Sequence, residues 1–241
     1  MKNVALFSLF VLVFASGCRE IAGRRVRGSG NVTPQTRTVS GFREVHVSGA
    51  IDVYVKQDSS SSVRIEADDN IIEYVVTEVN GSTLEIFTEH GFNLRPSHKI
   101  KVYVSNPSYE GFEVSGASAI MSENEITSGN QININLSGAS EGKLELNAPK
   151  VSVDVTGASS ANLRGRTKDL DVNASGASRV RGFELLTENT TVDLSGASNA
   201  EVYASVSLHG EASGASHVTY LGNIGHNVNT SGASHVNKKN D

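Results

Sequence analysis

Seven times between residues 115 and 234 the chain writes Ser-Gly-Ala-Ser or its near-twin Thr-Gly-Ala-Ser, with central glycines at Gly116, Gly138, Gly157, Gly176, Gly196, Gly214 and Gly232. The glycines are 22, 19, 19, 20, 18 and 18 residues apart. A near-constant period of this size, with strand-like sequence between the marks, is the signature of a solenoid whose copies stack on one another. Few other folds accept the same bend at every coil.

Side chains two residues apart in a strand share a face, so alignment on the glycines predicts the core. Two residues before each glycine stand Val114, Leu136, Val155, Ala174, Leu194, Ala212 and Thr230; four before stand Phe112, Ile134, Val153, Val172, Val192, Gly210 and Val228. Between them lies a wholly polar column of Glu113, Asn135, Asp154, Asn173, Asp193, Glu211 and Asn229. Four residues after the glycine the apolar column resumes with Ile120, Gly142, Ala161, Val180, Ala200, Val218 and Val236. Two short strands per copy cannot bury an apolar face alone, whereas stacked copies can. The pattern predicts an all-β fold, a single-stranded parallel β-helix. The right-handed form is favoured because coil length varies and no hexapeptide rhythm is present. Glycine suits the corner by accepting positive φ, alanine is expected to point inward at the bend, and the serine hydroxyls are expected to bond along the stack or to free backbone groups of the turn.

Residues 1–17 read as a signal peptide: Lys2, an apolar run from Val4 to Phe14, then Ala15-Ser16-Gly17 before Cys18. The arrangement resembles a bacterial lipoprotein leader, which makes Cys18 the lipidated residue and a membrane, in particular an outer membrane, the attachment. An ordinary secretory signal with a chance cysteine is the alternative. Cys18 is the only cysteine, so the chain has no disulfide of its own. Residues 18–37 are expected to be a tether, with Arg24, Arg25 and Arg27 among glycine and serine. The β-helix domain is expected over 38–241, irregular over 38–106 and regular over 107–236. In the irregular part, Gly49 with Val45, Val47, Val53 and Val55 is a degenerate earlier copy. Val63 to Ala67 and Lys99 to Ser105 read as strands. Asp68-Asp69 is expected to cap a short helix through Tyr74, and Asn80-Gly81 to turn a hairpin, the two together covering the open end.

Loss of residues 1–17 leaves 20 Lys plus Arg against 26 Asp plus Glu, a net charge of −6, which argues against nucleic acid as a partner. The polar column offers oxygen ligands at one-coil spacing, with Asp154 and Asp193 as candidate calcium ligands. Alternating acids and amides also keep like charges from facing each other, and this structural explanation is favoured. His217 and His235 directly follow adjacent corners and are a candidate metal pair, with an exposed corner as the preferred explanation. Gly138-Ala139-Ser140-Glu141-Gly142 matches a nucleophile-elbow pattern, but it lies inside a β repeat rather than a strand-to-helix turn. There is no tryptophan; Tyr203 and Tyr220 are the nearest approach to a sugar-stacking platform.

The leader, Val39-Ser40-Gly41-Phe42 opening into Val47-Ser48-Gly49-Ala50-Ile51-Asp52-Val53, the Glu66-Ala67-Asp68-Asp69-Asn70 segment and the Ser-Gly-Ala-Ser series together resemble the putative auto-transporter adhesin, head GIN domain family of exported Bacteroidetes-type proteins. The resemblance spans about residues 38 to 236. It implies a β-helix of the pectin-lyase-like kind, without established catalytic residues and with a suggested role in cell adhesion. Three functions compete. The first is a non-enzymatic envelope or surface module for adhesion or scaffolding, contacting an extracellular glycan or protein. The second is a polysaccharide-active enzyme, and the third a calcium- or carbohydrate-binding module. Short turns leave no long loops to wall a cleft, which favours the first, with no catalytic residues and no cofactor.

Overall fold

The protein, seen in a computed structural model, is described over residues 23–239; the leader and Cys18 lie outside these residues. In the regular part the strands are β10 (Gly111–Val114), β11 (Ala119–Ser122), β12 (Ile126–Thr127), β13 (Ile132–Leu136), β14 (Glu141–Val155), β15 (Ser160–Ala174), β16 (Arg179–Leu194), β17 (Asn199–Tyr203), β18 (Ser207–Ala212), β19 (His217–Leu221), β20 (Asn227–Thr230) and β21 (His235–Lys238). All pair in parallel with a neighbouring coil, most of them on both sides, as in Ile134↔Val153, Val153↔Val172 and Val172↔Val192. The chain forms a parallel β-solenoid of about 6 turns. Its lumen is filled by the columns expected from the repeat: Ile134, Val153, Val192, Ile120, Ala161 and Val180 are fully buried. Each buried Val or Leu of this kind contributes roughly 1.5–3 kcal/mol.

A second bend needs no turn motif. In β14 the lumen-facing residues are Leu144, Leu146 and Ala148, then Val151, Val153 and Val155, so the alternation skips one residue at Pro149-Lys150. Pairing continues through the skip, with Ala148 opposite Thr167 and Lys150 opposite Asp169.

The Ser-Gly-Ala-Ser corner differs from expectation in one respect. The alanines Ala117, Ala139, Ala158, Ala177, Ala197 and Ala215 face solvent, and the second serines Ser118, Ser140, Ser159, Ser178, Ser198 and Ser216 point inward and are buried. Inside, the hydroxyl bonds backbone carbonyls at several of the corners. The Ser198 hydroxyl donates to the Ser195 carbonyl at 2.8 Å and the Ser216 hydroxyl to the Ser213 carbonyl at 2.8 Å. Lower in the stack, the Ser140 hydroxyl donates to the Val114 carbonyl at 3.1 Å and lies 3.3 Å from the Ser159 hydroxyl. Two constraints hold glycine in the corner. At Gly176 φ is +79°, and an added Cβ would lie 2.7 Å from the Gly157 carbonyl oxygen of the coil below. That oxygen already accepts the Ala177 N–H at 2.8 Å.

The N-terminal third is not laid down in chain order. Its strands are β1 (Arg24–Arg27), β2 (Val32–Arg37), β3 (Glu44–Val47), β4 (Ile51–Gln57), β5 (Ser62–Asp68), β6 (Val75–Asn80), β7 (Thr83–Thr88), β8 (Phe92–Arg95) and β9 (Ile100–Asn106). The degenerate copy formed by β3, Gly49 and β4 stacks beneath β10 and β11. On its other side it pairs in parallel with β7 and β9, which come later in the sequence. Antiparallel strands close this end: β6 pairs with β7 across Asn80-Gly81, β5 with β9, and β2 with β5.

Two expectations are corrected here. The tether over 18–37 does not extend to residue 37, because Arg24–Arg27 pairs in parallel with β8 and Val32–Arg37 is antiparallel to β5. Nor do Asp68 and Asp69 cap a helix. Only a 3-10 turn forms, over Ile72–Tyr74, and no side chain caps it. Asp68 ends β5, fully buried, where its carboxylate accepts from the Gly30 N–H at 2.8 Å, the Ser97 N–H at 2.8 Å and the Ser97 hydroxyl. Burial pushes this carboxyl up, and the Ser97 and Gly30 donors outweigh that push and hold it below the usual carboxylate range.

Candidate functional site

Outward side chains of the strands that precede each corner make one polar face. The register runs Glu113↔Asn135↔Asp154↔Asn173↔Asp193↔Glu211↔Asn229, the column expected from the sequence. Asp154 and Asp193 are kept apart by the Asn173 rung, two strand spacings or about 9.5 Å at the backbone. The Asn173 amide donates to the Asp154 carboxylate at 2.9 Å. One column over, Lys150 pairs with Asp171 at 2.6 Å. Among the described residues no three His, Cys, Asp or Glu side chains converge as a metal site.

His217 and His235 do come together, in neighbouring rungs with rings stacked at a centroid distance of 5.5 Å and 13° between planes. Both are exposed, and the His235 Nδ1 lies 2.9 Å from its own turn's Ala233 carbonyl oxygen. Ser140 of the elbow-like pentapeptide is buried in the lumen with its hydroxyl on the Val114 carbonyl, so it presents no nucleophile to solvent. Tyr203 and Tyr220 do not form a platform: Tyr220 is buried, and its phenol reaches the Ile224 carbonyl at 3.5 Å.

The strands that follow each corner make a second face with a different character. Its central column runs Tyr103↔Tyr54↔Met121↔Lys143↔Asn162↔Arg181↔Glu201. Tyr54 and Tyr103 stack with centroids 5.0 Å apart, and the Arg64 guanidinium lies 4.1 Å over the Tyr103 ring. Further along, a depression of about 490 Å³ crosses several coils, with Lys143, Arg164, Arg181, Phe183, Glu184 and Glu201 among its lining residues. Phe183 is there because of a bulge. Asn162 faces Arg181 while Arg164 faces Glu184, so two residues oppose one and the extra side chain is turned out of the lumen. Its half-buried ring carries the Lys239 ammonium 4.4 Å away. Around it Arg164 pairs with Glu145 at 2.8 Å, and the Arg181 guanidinium donates to the Asn162 amide oxygen at 3.0 Å. The arrangement offers fixed donors and acceptors around an apolar ring, with stacked aromatics at the other end of the same column.

Sequence reasoning missed this second face. Phe183 left one trace, the 20-residue interval between Gly176 and Gly196 against 19 in the copy before. Tyr54 and Tyr103 left none, since 48 residues and four intervening strands separate them along the chain.

Residues 41–223 match the family described as "Putative auto-transporter adhesin, head GIN domain". No curated protein matches the chain. Among solved structures, a putative adhesin from Bacteroides fragilis NCTC 9343 superposes with a TM-score of 0.84 at 18% identity, covering 89% of this chain and 100% of its own. A putative lipid binding protein from Parabacteroides distasonis ATCC 8503 gives 0.72 at 19% identity, over 90% of this chain and 100% of its own. A putative adhesin from the same strain gives 0.70 at 23% identity, over 89% and 100%. At these identities the likeness shows a shared solenoid fold.

Proposed function

The chain belongs to the putative auto-transporter adhesin, head GIN domain family, and on that premise we propose that it is a non-enzymatic adhesion module of the cell envelope, attached through a lipid on Cys18, that holds an extracellular glycan on its second face. The family's adhesin description points to a surface or envelope protein. The observation that carries the ligand class is the depression around Phe183. Once the exposed Lys239 side chain swings off the half-buried Phe183 ring, the ring suits a sugar, whose apolar face stacks there while its hydroxyls take Arg181, Glu184, Glu201 and Asn162 of the same depression. Arg164 and Arg181 are already oriented by Glu145 and Asn162, so little side-chain entropy is lost on binding.

Binding without turnover fits the same geometry. Asp154 and Asp193 stand on the other face, separated by an amide, and the turns at the corners are four residues long in every regular copy. Water reaches such a surface freely, and no desolvated acid or base is built into it.

The test is binding of the chain from Arg19 onward, which keeps every described strand, to arrays of glycans and matrix proteins with and without calcium. The reading predicts binding to a restricted set of glycans, unaffected by calcium and without shortening of the bound chains. Exclusive binding to protein, a strict need for calcium, or cleavage of the glycan would contradict it.

A further inference from the structure

Opposite arginines mark the separate two-stranded sheet of the N-terminal end. In the parallel ribbon of β1 and β8, Arg27 stands directly across from Arg95, and Arg25 lies two residues before Arg27 on the same side. Neighbouring strands are about 4.8 Å apart, and like charges set opposite each other across a ladder are unfavourable. All three side chains are exposed, and among the described residues none is in an ion pair. They surround an open hollow of about 860 Å³, completed by Gly28, Ser29, Gly30, Pro96 and Ser97. The hollow's walls are fixed. Asp68 ties Gly30 to Ser97, and Asn70 accepts the Ser29 N–H at 2.9 Å and donates to the Arg27 carbonyl at 2.8 Å. The nearby carboxylates are engaged by these loops, Asp68 as described and Asp69 with the Ser29 hydroxyl and the Asn31 amide. Three guanidinium groups without an ion-pair partner among the described residues, in a chain of net charge −5, make this hollow locally cationic.

We propose that Arg25, Arg27 and Arg95 bind phosphate-type oxyanions, presented as the headgroups of an anionic membrane. Guanidinium suits this ligand because its planar fork donates two parallel N–H bonds to one phosphate. The membrane is the source because of reach: the six residue steps from Cys18 to Arg24 span at most about 20 Å. That choice of source rests on the anchoring reading, in which the lipid holds this end of the solenoid against the bilayer. The arginines then set the orientation, with the coil axis directed away from the surface and the second face, which runs along that axis, left open to the side.

The test uses the unlipidated chain from Arg19, so that it reads the arginines apart from the anchor and apart from glycan binding. Sedimentation is compared on vesicles of phosphatidylcholine alone and of phosphatidylcholine with phosphatidylglycerol, at low and at physiological salt. The proposal predicts binding to the anionic vesicles only, weakened by salt. Each arginine near the surface contributes roughly fivefold, so Arg25→Gln/Arg27→Gln/Arg95→Gln loses on the order of a hundredfold. A charge-matched control, Lys168→Gln/Arg179→Gln/Lys238→Gln, keeps the binding. In anion-free buffer the triple arginine variant melts no lower than the wild type, because a repulsive pair has been removed, and its melting no longer rises with inorganic phosphate. Equal binding to both vesicle types, equal loss in the charge-matched control, or a phosphate response without preference for anionic vesicles overturns the proposal.

Discussion

At the scale of the residue, the corner serines separate burial from bonding. Ser178 is buried with its hydroxyl unpartnered, whereas the Ser198 hydroxyl one coil up reaches the Ser195 carbonyl at 2.8 Å and the Ala174 carbonyl at 3.2 Å. Ser178→Ala is therefore expected to be neutral or slightly stabilising, and Ser198→Ala to cost about 0.5–1.5 kcal/mol. Urea unfolding of the two variants checks this; equal losses would show that Ser178 also has a partner. The inward serine was legible in principle. Val114 and Ile120 stand two before and four after Gly116, and Ser118, two after, has the same parity. Alanine's apolar character pointed the other way, but strand parity decided the outcome, since Ser178 is buried even without a hydroxyl partner. For the candidate metal residues adjacency alone was legible: Asp154 and Asn173 adjoin, and so do His217 and His235.

At the scale of the element, the corners differ in tolerance. A Cβ at Gly176 would press within 2.7 Å of the Gly157 carbonyl oxygen, while at Gly116 the nearest atom is the Gly49 nitrogen at 3.6 Å. Gly116→Ala should cost about 1–2 kcal/mol, the penalty of left-handed backbone alone, and Gly176→Ala distinctly more. Thermal melting of both variants checks the order, and equal shifts would mean that stacking does not confine the corner. Asp68 makes the N-terminal end pH-sensitive. Its carboxyl is depressed in the folded chain, so its contribution is present above the unfolded value near 4 and lost as pH falls through the lower folded value. Asp68→Ala is expected to cost about 1–3 kcal/mol at neutral pH, since it strips buried donors of their acceptor, and to flatten stability below about pH 4. Amide exchange of Gly30 and Ser97 measures both effects. The hairpin at Asn80-Gly81 was readable because its signal is local. The roles of Asp68 and of β2 were not. Asp68 is fixed by partners 38 and 29 residues away, and β2, Val-Thr-Pro-Gln-Thr-Arg, has little apolar character and pairs only with β5, as an edge strand with proline does.

At the scale of the whole molecule, the period of the glycines carries the architecture, and the excursion over residues 58–106 hides the rest. That excursion tucks β7 and β9 beneath β3 and β4, and by doing so brings Tyr103 against Tyr54. No periodicity of the sequence announces such a contact, which is why the polar column was found and the aromatic one was not. Anchoring is tested at this scale: Cys18→Ala is expected to move the protein from the membrane fraction to the soluble fraction, because stable attachment depends on acyl chains, and fractionation with lipid labelling reads it. A variant that stays membrane-bound beside an unlabelled wild type would remove the anchor from the account. The central claim, that the second face is the adhesive one, is tested most directly by measuring glycan affinity for Phe183→Ala and for Asp154→Asn/Asp193→Asn alongside the wild type, each confirmed to be folded. The account predicts at least a tenfold loss for Phe183→Ala and unchanged affinity for the double variant; full affinity in the first with loss in the second would contradict it.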